Sequence, residues 1–153
     1  ATVLRLTNAV GYPKNKEANC WMLFVNNICK QAVTKKKIRI YSDSLLKKDF
    51  ITISSICSCT LFAIKNNLDG EVFNVSSGEL ISLGEVALLV QKRTKLVLNF
   101  TPEITFNDSS WSNKGNLKVI SNKKLTALGF NIKSDMVNEI DRLLFDCHKW
   151  FGK

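Results

Sequence analysis

Cys147 and His148 stand side by side near the end of this 153-residue chain and are the residue types of a nucleophile and its base. A working dyad needs thiol and ring adjacent in space, with a third group to orient the ring. The apolar spacing around them predicts a helix, on which consecutive residues diverge, so the pair reads as a packed thiol beside a surface histidine. With Cys20, Cys29, Cys57 and Cys59, the cysteines number five, an odd count at spacings of neither a disulfide framework nor paired Cys-x-x-Cys zinc knuckles. Cys57 and Cys59 would also point apart on a helix. Buried reduced thiols, packing as small hydrophobes, are the expectation, and they favour the cytoplasm. Trp21, Trp111 and Trp150 could stack on bases, but packing in core or loop is the simpler use of them. No catalytic residue and no metal site is assigned.

The formal charge of +9, from 22 Lys and Arg against 13 Asp and Glu, suits an anionic partner. The densest basic run, Lys35-Lys36-Lys37, falls where a helix gives way to a strand and reads as a solvated connector. Nothing resembles a nucleic-acid-binding motif, so nucleic acid is an unlikely partner. The apolar stretches are short and broken by Lys, Asn or Ser, and Ala1 to Val10 has no signal-peptide pattern, so a soluble cytoplasmic protein without a membrane partner is expected.

These residues must be positioned by an alternation of strands and helices. Val3 to Leu6 is an apolar run shaped like a buried parallel strand. With nothing of its own nearby to pair with, it is expected to be an inner strand whose companions were encoded ahead of Ala1. Helical spacing follows at Trp21, Phe24, Val25, Ile28, Ala32 and Val33, then a strand at Ile38 to Tyr41. A second helix would carry Ile53, Ile56, Cys57, Thr60, Leu61 and Ile64 inward and end before Asp69-Gly70, with a strand at Glu71 to Val75. Ser82-Leu83-Gly84-Glu85 has the form of a capping box opening a helix with Leu83, Val86, Ala87 and Val90 inward. A strand is expected at Leu96 to Phe100, a polar loop from Thr101 to Gly115, and a brief strand and short helix between Leu117 and Phe130, stopped at Gly129. The last helix, after Ser134, places Val137, Ile140, Leu144, Cys147 and Phe151 on one face. The pattern is α/β.

Four segments in order connect this pattern to a family. Arg5-Leu6-Thr7-Asn8-Ala9-Val10-Gly11 resembles the Arg-x-x-Asn-x-x-Gly segment of extended short-chain dehydrogenases. Ile38 to Tyr41 through Lys48-Asp49-Phe50-Ile51 is similar to their strand, loop and Arg-Asp-Phe element. Gly70 to Gly78 with Ser82-Leu83 resembles the strand ending in Asn-x-x-x-Gly before a Ser-Leu helix start. Asn122-Lys123-Lys124-Leu125 with Leu128-Gly129-Phe130 resembles the Ser-Lys segment and Leu-Gly-Trp corner. The resemblance is to NAD-dependent nucleotide-sugar epimerases and dehydratases. It implies the closing strands of a Rossmann-like parallel sheet plus the small C-terminal α/β substrate-binding lobe. Residues 1–153 would form a single C-terminal fragment, last Rossmann strands interleaved with the lobe, the N-terminal cofactor half absent.

The same resemblance supplies the site. Asn8 would line the junction of cofactor and substrate and address the diphosphate or sugar. Lys48 replaces the family's Arg, which contacts the nucleotide; lysine keeps the charge and loses the planar fork. Asn74 occupies a strand-end position linked to substrate binding. Other positions depart further: Ser42 and Ser44 replace loop glycines, Ser55 and Ile120 replace acidic residues, and no Arg occurs near Ser109 to Asn113, although Lys114 is close. The family's Gly-x-x-Gly-x-x-Gly loop is absent from the sequence. Tyr12-x-x-x-Lys16 fits its Tyr-x-x-x-Lys pattern, but after the Asn segment in a Pro-broken stretch rather than before it on a helix, so it reads as coincidence. The expectation is the substrate half of a nucleotide-sugar epimerase or dehydratase that holds NAD or NADP only in the full-length parent. Alone it should be inactive and bind no cofactor. The alternatives are a non-catalytic descendant that binds nucleotide-sugar or protein and, more remotely, a basic nucleic-acid-binding domain.

Overall fold

The computed structural model describes residues 1–106 and 119–152. Thirteen elements follow in order: β1 (Val3–Leu6), β2 (Asn8–Val10), α1 (Phe24–Lys35), β3 (Lys37–Ile40), β4 (Lys47–Lys48), β5 (Phe50–Thr52), α2 (Ile53–Lys65), β6 (Val72–Val75), β7 (Ile81–Ser82), α3 (Leu83–Leu98), β8 (Glu103–Phe106), α4 (Lys123–Ala127) and α5 (Met136–Phe151). Three strand pairs are parallel, β1 with β6, β2 with β5 and β3 with β8; β4 and β7 pair antiparallel. Parallel partners cannot be joined by a tight hairpin, which is why helices or long connections separate each pair in sequence.

Two cores sit on opposite faces of β5. Successive strand residues point to opposite sides, so Phe50 joins a larger core of α1, α3, α5, β2 and β3, while Ile51 joins a smaller one with Cys59, Phe73, Val75 and Leu125. In the larger core Val25, Ile28, Cys29, Ala32 and Val33 of α1 meet Ile140, Leu143, Leu144 and Cys147 of α5. Arg93 on α3 clamps Asp141 on α5 through Nε and Nη2 of one guanidinium edge, at 2.7 and 2.5 Å. The helix ends obey local chemistry. Ser82 and Glu85 form the expected capping box, the Asp135 carboxylate accepts from the Asn138 N–H at α5, and Asn99, with φ +60°, closes α3.

Four expectations are corrected. β1 does have a partner of its own: it pairs along its whole length with β6, Val3 opposite Val72 and Leu6 opposite Val75, though its other edge is unpaired among the described residues. The strand expected at Leu96 to Phe100 is the last turn of α3 and its cap; the strand is β8, inside the stretch expected to be loop, because only there does a segment lie beside β3. α2 buries Ser55, Cys59 and Ala63 rather than the apolar side expected to face inward, leaving Leu61 56% and Ile64 67% exposed and Cys57 exposed as well. On α5, Val137 is 40% exposed. Trp111, Lys114, the Ser109-to-Asn113 loop and the start of the strand expected near Leu117 lie outside the described residues.

Candidate functional site

The end of β2 and the β4–β5 bend lie together because β2 and β5 pair with Asn8 opposite Phe50. Lys48 precedes that bend and points outward, while Asp49 turns inward and is 4% exposed. Its carboxylate accepts four hydrogen bonds: from Thr7 Oγ1 (2.9 Å), the Ser77 N–H (2.9 Å), Ser77 Oγ (3.0 Å) and the Gly78 N–H (3.0 Å). A buried carboxylate is costly unless its lone pairs are satisfied, and these donors satisfy it. The Asp49 carbonyl in turn accepts from the Asn8 backbone N–H (3.2 Å) and side-chain Nδ2 (2.8 Å). Asn8 thus keeps one amide hydrogen and its Oδ1 for a ligand.

Asn8 and Lys48 form the rim shared by two clefts. One, of about 470 Å³, is walled by Phe24, Tyr41 and Leu23, with Arg39, Asn27 and Ser42 as its polar groups. The other, of about 400 Å³, is bounded by Leu6, Thr7, Lys47, Leu80 and Ile120. The one carboxylate among their described lining residues is Asp49, already saturated, against Arg39, Lys47 and Lys48. The Arg39 guanidinium lies 5.6 Å from the Tyr41 ring, whose face is otherwise open.

A further cationic feature is the start of α1. Leu23 at its N-cap provides no side-chain hydrogen bond, and the first turn has no acidic residue. Its free N–H groups and the positive end of the helix dipole border the larger cleft, which Leu23, Phe24 and Asn27 line. Sequence reasoning missed this end, together with Arg39, Tyr41 and Asn27. The available signal was negative: no Ser, Thr, Asp or Asn stands at the position before Phe24. Asn74 lies elsewhere, lining neither cleft and donating from Nδ2 to the Ser121 carbonyl at 3.1 Å.

Two of the cysteines are held in the thiol form by their burial. Burial pushes the Cys29 thiol well up, and burial against α1 pushes Cys147 up to about 12. All five are free thiols, and no group of three or more metal-ligating side chains occurs among the described residues. No described helix is long and apolar enough to cross a membrane.

A Rossmann dinucleotide site holds its pyrophosphate on the open N-terminus of a helix that follows a strand through a glycine-rich turn. The helices here that directly follow strands are already capped, α2 by Thr52 and by Glu139, which accepts from the Ser54 N–H at 3.1 Å, and α3 by Ser82 and Glu85. Neither of these two helix starts therefore offers the open N–H groups of such a pyrophosphate site.

No protein-family model and no curated protein sequence matches the chain. Solved structures do. The Pseudomonas aeruginosa protein RMD, solved with NADPH, superposes with a TM-score of 0.72 at 17% identity, over 97% of this chain and 47% of its own. UDP-glucose 4-epimerase from Thermotoga maritima, solved with UDP-glucose, gives 0.68 at 18% identity over 97% and 46%. The dTDP-glucose 4,6-dehydratase of Bacillus anthracis, with NAD, gives 0.69 at 18% over 98% and 46%. The fold is that of extended short-chain dehydrogenases. This chain spans about half the length of the extended short-chain dehydrogenases it matches, 45–47% of each.

Proposed function

We propose that this chain is the substrate-binding half of an NAD- or NADP-dependent nucleotide-sugar epimerase or dehydratase, inactive until joined to a cofactor-binding N-terminal half, in a cytoplasmic setting that suits its free thiols. The observation that carries this reading is the rim at Asn8 and Lys48 between two clefts. A nucleoside diphosphate sugar has a flat base, a doubly charged linker and a hydroxylated ring, and needs a place for each. The cleft with Tyr41, Phe24 and Arg39 suits base and ribose. Lys48 and the open start of α1 suit the diphosphate, and the second cleft, beside Asn8, suits the sugar. The cofactor and the proton-transfer residues belong to the other half, so no chemical step is assigned to side chains here.

Calorimetric titration with UDP-glucose and dTDP-glucose tests the reading. Binding is expected for both, none for free glucose, and Lys48→Ala should weaken it about tenfold, as loss of one charge-assisted hydrogen bond of roughly 1.5 kcal/mol implies. Equal affinity in the variant would remove Lys48 from the site. Failure of the chain to bind any nucleotide diphosphate, alone and with a cofactor half supplied, would overturn the reading. A second reading, a non-catalytic binding descendant, is favoured by Lys48, Ser42 and Ser44 standing where the resembled family has Arg and Gly. It predicts binding without turnover even in the joined protein.

A further inference from the structure

We propose that Asp49 is a positioning residue for this cleft, holding Asn8 and Lys48 in their ligand-facing orientation; the inference rests on the nucleotide-sugar reading above and names a residue that touches no ligand itself. Asp49 is the meeting point of three segments distant in sequence: the β1–β2 junction through Thr7, the β4–β5 bend through its own backbone, and the β6–β7 connection through Ser77 and Gly78. Each of those segments contributes to a cleft, through Leu6 and Asn8, through Lys47 and Lys48, and through Leu80.

The carboxylate is 4% exposed and has no cationic partner among the described ion pairs, so its orientation is dictated by donors alone. Oδ1 takes three of them and Oδ2 one, two of the four being backbone N–H groups that cannot swing away. With the side chain so fixed, the backbone of residue 49 is fixed, and its carbonyl is the group that holds the Asn8 amide at 2.8 Å. Loss of the carboxylate would leave the carbonyl held by the Asn8 backbone N–H alone, loosen its grip on the side-chain amide, and let the preceding Lys48 move with the bend. A carboxamide cannot substitute fully. It could keep Oδ1 as an acceptor, but it would turn an N–H₂ group toward the Gly78 N–H, donor against donor. The charge type at 49 is thereby specified, and not only its shape.

The test compares wild type, Asp49→Asn, Asn8→Ala and the double variant, each below its own melting temperature. Two readouts are used: uridine diphosphate affinity by calorimetry, and the Asn8 side-chain amide signal in a nitrogen-proton NMR spectrum, assigned by its loss in Asn8→Ala. In the wild type the Asn8 amide should be shifted from, and exchange more slowly than, an exposed asparagine. In Asp49→Asn the signal should move to the exposed position and affinity fall about tenfold, as in Asn8→Ala. The double variant should lose no more than Asn8→Ala alone, because both act through one amide. An unshifted Asn8 signal in Asp49→Asn, or losses that add in the double variant, would overturn the proposal. If Asp49→Asn does not fold, Ser77→Ala, which removes one donor outside both clefts, should give a smaller change in the same direction, and no change would count against the proposal. If the wild type binds no uridine diphosphate, alone and with a cofactor half supplied, the nucleotide-sugar reading fails, and the Asn8 signal alone still decides the role of Asp49.

Discussion

Gly11 illustrates how much a single residue can be asked to do in this fold. A Cβ built on it would meet Ile53 Cγ1 at 2.5 Å and Ile53 Cβ at 2.8 Å, with Glu139 Oε2 at 3.2 Å. Its carbonyl also accepts from the buried Asn26 side chain at 3.0 Å. The glycine of the Arg-x-x-Asn-x-x-Gly segment is thus required by the close passage of the β2 exit across the start of α2, not by an unusual backbone angle. Gly11→Ala should lower stability by about 2–3 kcal/mol, an overpacking cost, read as a reduced urea midpoint. Ile53→Ala in the same chain should recover part of the loss, since it removes Cγ1, the nearer of the two Ile53 atoms in the way, and leaves Cβ; no recovery would place the cause elsewhere. At this scale the sequence was informative wherever a motif residue came with a local reason. Asn8 and Lys48 were identified by resemblance and do line one rim, whereas Asn74 came from the same source and lines neither cleft. What could not be read was the set of partners: nothing in the run Lys48-Asp49-Phe50 says that Thr7, Ser77 and Gly78 will close on Asp49.

Among the elements, the start of α3 was legible and the buried side of α2 was not. The capping box is a contact between residues three apart, and such contacts survive any tertiary arrangement. Ser82 Oγ takes the Glu85 N–H at 3.1 Å, and Glu85 Oε2 takes the Ser82 N–H at 2.8 Å. Bonds from the Ser82 side chain, then from its backbone N–H, hold the Glu85 carboxyl below its ordinary range. A carboxyl lowered in the folded state stabilises above its unfolded pKa, and that contribution disappears as pH falls through the lowered value. Ser82→Ala should cost about 1 kcal/mol through the lost cap, and the gap between variant and wild type should narrow on acidification below the carboxylate range, by the part owed to the Ser82 hydroxyl on the Glu85 carboxylate. A gap that stays constant in thermal melts from neutral to acid pH would refute the coupling. α2 went the other way. A helix ending before Asp69-Gly70 was expected; it spans Ile53–Lys65 and buries a different side. Two faces of that helix are apolar enough to be buried, and the choice falls to Ser55, Cys59 and Ala63 because small side chains let the helix approach β5 and β6. The Ser55 hydroxyl even spends its hydrogen bond on the Lys133 carbonyl, at 2.6 Å.

That choice shapes the whole molecule. Leu61 and Ile64 stand uncovered on α2 beside a groove of about 350 Å³ lined by Thr2, Leu4 and Ile64, next to the edge of β1 that is unpaired among the described residues. An open strand edge with an apolar helix face beside it is a surface built for pairing. In the proposed function, a Rossmann-type cofactor half occupies it. Leu61→Asp with Ile64→Lys should leave the stability of this chain within about 0.5 kcal/mol, since both side chains already face solvent. It should abolish association with a cofactor half measured by analytical ultracentrifugation. Undiminished association would show that the two halves meet elsewhere.

The amino-acid sequence by itself determined what neighbours along the chain can decide: the types and order of most elements, the caps at Ser82 and the stop at Gly129, and the presence of Asn8 and Lys48 in a recognisable series of segments. Those follow from backbone preferences and side-chain contacts within a turn or two. Only the tertiary structure decided that β1 finds β6, that the strand beside β3 is Glu103–Phe106 and not Leu96 to Phe100, which face of α2 is covered, and that the uncapped start of α1 opens onto the same cleft as Arg39 and Tyr41. Each of these depends on which distant segment lies alongside, and pairing energy between segments dozens of residues apart leaves no mark on the local pattern of either one.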